Sequence, residues 1–125
     1  NKHKLKAYLY EPLDYPGKFV AFSVLTDRGL FDTPIMAIKK EYQGYGYGEE
    51  IVNDYIIKAN RPLAGSQLQS NKAICHINKK LGWQIVGQIE QTNGMVDLLY
   101  HPGINHTLKN KEEILKAILK YHNIL

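Results

Sequence analysis

The segment that most restricts how this chain folds is Gln43-Gly44-Tyr45-Gly46-Tyr47-Gly48. Glycines at alternate positions let the backbone turn sharply, and they fall where one periodicity gives way to another. Residues 33–39 before them read as a strand. After them Ile51, Val52, Tyr55, Ile56 and Ala59 recur at helical spacing, which predicts a helix over residues 48–60. A glycine turn placed between strand and helix gathers backbone N–H groups into one concavity. The helix adds its own free N–H groups and the positive end of its dipole, so the segment suits a pyrophosphate. The same hexapeptide also serves as a plain strand-to-helix connection. A Rossmann loop is disfavoured, because the preceding strands read as antiparallel and no strand ending in Asp or Glu follows about 20 residues later. A Walker loop lacks its Gly-Lys-Ser/Thr ending.

The rest of the chain punctuates cleanly. Residues 4–10 alternate and stop at Pro12, followed by the turn Asp14-Tyr15-Pro16-Gly17. Residues 18–26 are rich in β-branched and aromatic side chains, and Asp27-Arg28-Gly29 reads as the hairpin turn into the strand at 33–39. Beyond the first helix, Pro62 and Gly65 precede a short polar strand at 63–68. A second helix is predicted with Ser70 as N-cap, with Ala73, Ile74, Ile77 and Leu81 on its buried face, and with Gly82 ending it. Residues 83–90 and 95–100 flank Thr92-Asn93-Gly94, a hairpin signal. Asn110-Lys111-Glu112-Glu113 reads as a capping box opening a last helix whose apolar residues are Ile114, Leu115, Ile118 and Leu119. The expected fold class is α/β (α+β), a mixed, mostly antiparallel sheet flanked by helices, in the order β-β-β-α-β-α-β-β-α.

Length and composition bound what such a chain does. The 125 residues suit one domain over positions 1–125, and 44% hydrophobic with 22% charged residues is a folded, not a disordered, composition. The longest apolar runs, at 19–22 and 35–38, are far short of the roughly 20 residues of a membrane span. No membrane partner and no secretory signal are expected. Cys75 is the sole cysteine, which excludes an intrachain disulfide and suits a cytoplasmic setting. The five histidines show no ligand spacing, so no metal site is expected. A net charge of +4 favours an anionic partner, either a phosphorylated small molecule or a nucleic acid. Only Arg28 and Arg61 accompany 14 lysines, which argues against an arginine surface that reads base edges. Nine tyrosines include Tyr42, Tyr45, Tyr47 and Tyr55 near a basic region, where bases could stack. Most such residues serve as half-buried strand and helix side chains.

Two segments together resemble the GNAT superfamily of acetyl-coenzyme A-dependent N-acetyltransferases. The family's Gln/Arg-x-x-Gly-x-Gly/Ala signature is met by Gln43, Gly46 and Gly48. The run from Asn71 through Asn78 to Gly82-Trp83 is similar to the family's Asn-containing helix that ends in Gly-Phe/Trp and enters the next strand. With the preceding hairpin the resemblance covers residues 18–100. It implies acetyl-CoA as cosubstrate and an amine, on a small molecule or a protein, as acceptor. It also implies that the backbone around Met36, Ile38 and Lys39 pairs with the pantetheine arm. The amides of Gln43, Gly44, Tyr45, Gly46, Tyr47 and Gly48 would then hold the pyrophosphate, and Asn71, with Asn78 on the same helix, would face the cofactor. Lys39, Lys40, Lys72, Lys79 and Lys80 are candidates for the outer phosphates.

The implied chemistry is direct attack of the amine on the thioester in a ternary complex, helped by proximity, a base, an oxyanion donor and an acid for the departing thiolate. Many family members supply the acid from a Tyr seven residues after the helix Asn, and this chain has Asn78 there, which donates no proton. The remaining catalytic candidates are Tyr100 at the end of a strand, Asp32 beside the hairpin, and Cys75. At about 100° per residue Cys75 shares a stripe with Asn71 and Asn78. His76 and Tyr45 are further acid or base candidates.

The family also has a strand and two helices before the hairpin, and only about forty residues precede the loop here. Either the domain is a minimal version, or the chain was shortened, or a partner subunit, as in a homodimer, supplies the acceptor wall; the C-terminal helix folded back is a further way to cover it. Three functions follow: an N-acyltransferase, a CoA-binding regulatory module without acyl transfer, and a nucleic-acid modifier or binder on the same scaffold.

Overall fold

The computed structural model describes residues 4–13, 16–104 and 111–123. Six strands run β1 (Leu5–Tyr10), β2 (Ala21–Asp27), β3 (Asp32–Ile38), β4 (Leu63–Leu68), β5 (Gln84–Gln91) and β6 (Gly94–His101). Helices α1 (Tyr47–Ala59), α2 (Lys72–Lys80) and α3 (Lys111–Tyr121) complete the order, and a 3₁₀ turn at Lys40–Tyr42 leads into the glycine loop. The element order is the one the periodicities predict. Asp14 and Tyr15 of the first turn, Asn110 of the capping box, His3 and His106 lie outside the described residues.

The sheet order is β1-β2-β3-β4-β6-β5, and every neighbouring pair is antiparallel except β3 with β4. Successive strand residues point to opposite faces, which sorts the core into two clusters. On one face Leu63 and Leu99 pack with Ile51, Val52, Tyr55 and Ile56 of α1, and Ile74, Ile77 and Leu81 from the α2 segment close over them. On the other, Ala64 and Tyr100 pack with Phe31 and with Ile114 and Ile118 of α3.

Three local details differ from the sequence expectation. Asn71, not Ser70, caps α2, its Oδ1 accepting from the Ile74 N–H at 3.2 Å. Ala73 is exposed, and the buried residue of α2 is Asn78. In the β5–β6 hairpin Gln91 pairs with Gly94, so Thr92 and Asn93 form the two-residue loop and Gly94 (φ 122°) opens the strand.

Candidate functional site

The site is built on one weak seam in the sheet. β3 and β4 pair only at Asp32 with Leu63 and then diverge. Pro34, two residues beyond that bridge, has no N–H with which to extend a ladder. Gly65, equally far along β4, leaves room that the Trp83 ring fills, since a Cβ there would lie 3.5 Å from the indole. Each strand remains paired on its outer side, β3 to β2 and β4 to β6, so the sheet holds while its centre opens. The result is a groove of about 820 Å³ lined by residues 34–38 of β3 and 65–68 of β4, with Gly48 and Tyr55 of α1 and Ile74, Ile77 and Asn78 of α2. Both strands present main-chain edges to it.

The glycine loop closes one end. The Gln43 side chain donates to Ile38 O at 3.1 Å, which fastens the loop to the end of β3. Gly44 and Gly46 take φ of 89° and 85°, the left-handed region that side chains disfavour. Gly46 is the N-cap of α1 and offers no side-chain acceptor, so the helix's first N–H groups are left for an external one. Gly48 packs closely instead: a Cβ would stand 3.3 Å from Ile77 Cδ1, a tight contact, and 3.7 Å from Ile38 Cδ1, an ordinary one. Gln43, Gly44, Gly46 and Gly48 all line the groove, as do Met36, Ile38 and Asn71.

Other residues singled out by sequence lie elsewhere. Tyr45 is exposed beside Tyr47, and neither lines the groove. The Lys39 ammonium sits over the Phe19 ring at 4.0 Å, and Lys80 is bound to Glu49 in the first turn of α1 at 3.1 Å. None of the three catalytic candidates reaches the groove wall. Tyr100 points to the α3 face of the sheet. Cys75 turns its thiol to Leu68 O at 3.4 Å. Asp32 is buried at the closed end of the seam, 3.4 Å from the Arg61 guanidinium. There burial raises its carboxyl pKa and Arg61 offsets part of the rise. The last helix, α3, supplies no groove residue either, so it does not fold back as an acceptor wall.

Sequence reasoning overlooked a polar cluster behind the groove. Asp97 on β6 is buried and accepts from Gln67 at 2.9 Å, Gln69 at 2.8 Å and Gln88 at 3.0 Å. Gln67 in turn accepts from the Asn78 Nδ2 at 2.8 Å. The signal available was Asp97 between apolar residues of β6, with Gln67 near the end of β4, Gln69 just past it and Gln88 on β5. Burial alone would raise the Asp97 carboxyl, but the three amide donors outweigh it and hold the carboxyl below its ordinary value. A depressed folded value means that the group stabilises the fold fully above the unfolded pKa, and that this share is lost as pH falls through the folded one. Thermal melts from pH 6 to pH 2 should therefore show a loss below about pH 4 that is smaller in D97N. Equal slopes in the two proteins would refute this.

Tyr55, assigned to the core by its helical spacing, is buried there and also lines the groove, where it is the one ionisable side chain among the described residues of that wall. Burial, with a smaller contribution from Tyr10, pushes its hydroxyl pKa far above the ordinary value. Two buried polar atoms of groove-lining residues, Asn78 Oδ1 and Trp83 Nε1, have no hydrogen-bond partner among the described residues. No group of three or more His, Cys, Asp or Glu residues that could hold a metal occurs among the described residues, and no helix there is long and apolar enough to cross a membrane.

Solved structures share this fold. The spermidine N-acetyltransferase of Vibrio cholerae in complex with CoA and spermine superposes with a TM-score of 0.70 at 12% identity, over 79% of this chain and 66% of that one. The chain has the GNAT acetyltransferase fold. A GNAT-family acetyltransferase from Streptococcus pneumoniae matches the fold at 0.64 and 22% identity, over 72% of this chain and 63% of that one. The ribosomal-protein-S18-alanine N-acetyltransferase of Escherichia coli matches at 0.64 and 19%, over 76% and 68%. The chain thus spans about two thirds of the length of these GNAT structures. No family model and no curated protein sequence matches it.

Proposed function

We propose that the chain binds acetyl-CoA in the groove between β3 and β4 and transfers its acetyl group to an amine. The observation that carries the reading is the seam itself, two main-chain edges that part beside the uncapped N-terminus of α1. A CoA thioester offers what both ends lack, amide groups for strand edges and phosphates for free helix N–H groups. The net charge of +4 suits the same ligand. In the solved complex of similar fold the ligands are CoA and spermine.

In this reading the loop amides of residues 43–48 bind the pyrophosphate, and β3 around Met36 and Ile38 aligns the pantetheine arm. The thioester supplies the acetyl group. The amine nitrogen forms a bond to its carbonyl carbon, the carbon–sulfur bond breaks, and the proton shed by the amine ends on the sulfur. The wall provides no carboxylate, imidazole, amine or thiol among the described residues to carry that proton. Proximity and solvent relay then do most of the work, with the hydroxyls of Tyr55 and Ser66 as the wall groups among the described residues able to share in it.

That bare wall also favours a second reading, a CoA-binding module with no acyl transfer. Calorimetry with acetyl-CoA, followed by a thiol-release assay with spermidine and other primary amines, separates the two. Binding with thiol release is expected for the enzyme and binding without release for the module. No binding at millimolar acetyl-CoA would refute both.

A further inference from the structure

The direction of one groove hydrogen bond is fixed from outside the groove. A carboxylate accepts and cannot donate, so Gln67 must turn its Nε2 toward Asp97. Its Oε1 is thereby left for Asn78, which must turn Nδ2 toward Gln67. The acceptor of Asn78 that remains is Oδ1, and it is the buried oxygen without a partner among the described residues. An isolated amide presents either end to a ligand. This one is held oxygen-first by a chain that ends in a carboxylate kept ionised by three amide donors. Asn78 is 5% exposed and lines the groove, so solvent does not set its orientation.

We propose that Asn78 Oδ1 is a specificity-determining acceptor that receives an N–H from the groove's ligand, with Gln67 and Asp97 as positioning residues. The inference rests on the acyl-donor reading and deepens it. Two sources carry the required chemistry, an amide N–H of the acyl donor's arm and the amine to be acylated. A carboxylate or another group that only accepts is disfavoured there, because it meets an oxygen lone pair with the Asp97 charge behind it. The position filled by an acid in many GNAT proteins thus becomes, in this chain, an oriented acceptor.

The test is a double-mutant cycle on ligand affinity with N78L, D97N and the double variant, each checked for retained fold by circular dichroism and melting. If the N–H belongs to the acyl donor, N78L weakens acetyl-CoA binding about tenfold. D97N then weakens it by a smaller factor, and adds nothing in the N78L background. If it belongs to the amine, acetyl-CoA affinity is unchanged and the same pattern is found in the KM for spermidine, with kcat affected less. A structural role alone would lower the melting temperature without this non-additivity. Should the variants fail to fold, ¹³C NMR of the unaltered chain decides, since the Asn78 side-chain carbonyl shifts when it gains a donor. A carbonyl unmoved by saturating acetyl-CoA and spermidine, or equal affinities across the cycle, overturns the inference while leaving CoA binding intact. A chain that does not bind acetyl-CoA overturns the reading beneath it.

Discussion

Valine in place of Gly46 is expected to weaken acetyl-CoA binding by about 100-fold while the chain stays folded. Gly46 sits at φ 85° as the N-cap of α1, and a Cβ placed there meets nothing within 4 Å. Space is therefore no obstacle; conformation is. A β-branched residue is a genuine outlier at such an angle, and the left-handed region costs about 1–2 kcal/mol even for ordinary side chains. The loop relieves that strain by rotating toward negative φ, which swings the first N–H groups of α1 away from the groove. Charge-assisted hydrogen bonds to phosphate are worth about 1.5–3 kcal/mol each, and losing one or two of them gives the 100-fold figure. Calorimetry measures it directly. An unchanged Kd would mean that the anion is not held at this loop.

Tyr100 separates packing from chemistry with an effect as large. Truncation to alanine should cost about 3–5 kcal/mol of stability, as removal of a large buried aromatic does. Its ring is 2% exposed and packs with Phe31, Ala64, Ile114 and Ile118, joining α3 to the sheet. Y100F keeps that packing. It should leave both stability and any turnover within about twofold of the parent, because the hydroxyl does not line the groove. Denaturant melts and the thiol-release assay report the two quantities. A selective loss of turnover in Y100F would place the hydroxyl in the reaction after all.

How much the sequence disclosed depended on the range of the interaction. The strands at 63–68 and 84–91, the helix carrying Ile51 to Ala59 and the glycine loop are local patterns of period and turn chemistry, and they were legible. The identity of the α2 cap was not, because Ser70 and Asn71 are both good caps and only the geometry selects between them. The catalytic candidates lie off the groove for a different reason. Tyr100 and Leu99 are neighbours in sequence, yet strand alternation sends them to opposite sides of the sheet, and which side holds the groove depends on where α1 and α2 dock. The Asp97 cluster joins residues up to 30 positions apart, so no window along the chain displays it. The seam at Asp32 and Leu63 is also non-local; its local marks are Pro34 and Gly65, each two residues beyond the bridge on its own strand.

That seam bears on why shape and sequence speak so differently here. A groove made from the edges of two parted strands and the head of a helix puts its demands on the path of the main chain. Most side chains along it are free to drift provided Pro, Gly and the alternating apolar pattern keep the strands apart and the sheet whole. The outcome is a chain with a TM-score of 0.70 to a solved acetyltransferase at 12% identity, and with no family model that matches it. What the two chains share is a backbone trajectory, and letter-by-letter comparison is nearly blind to it.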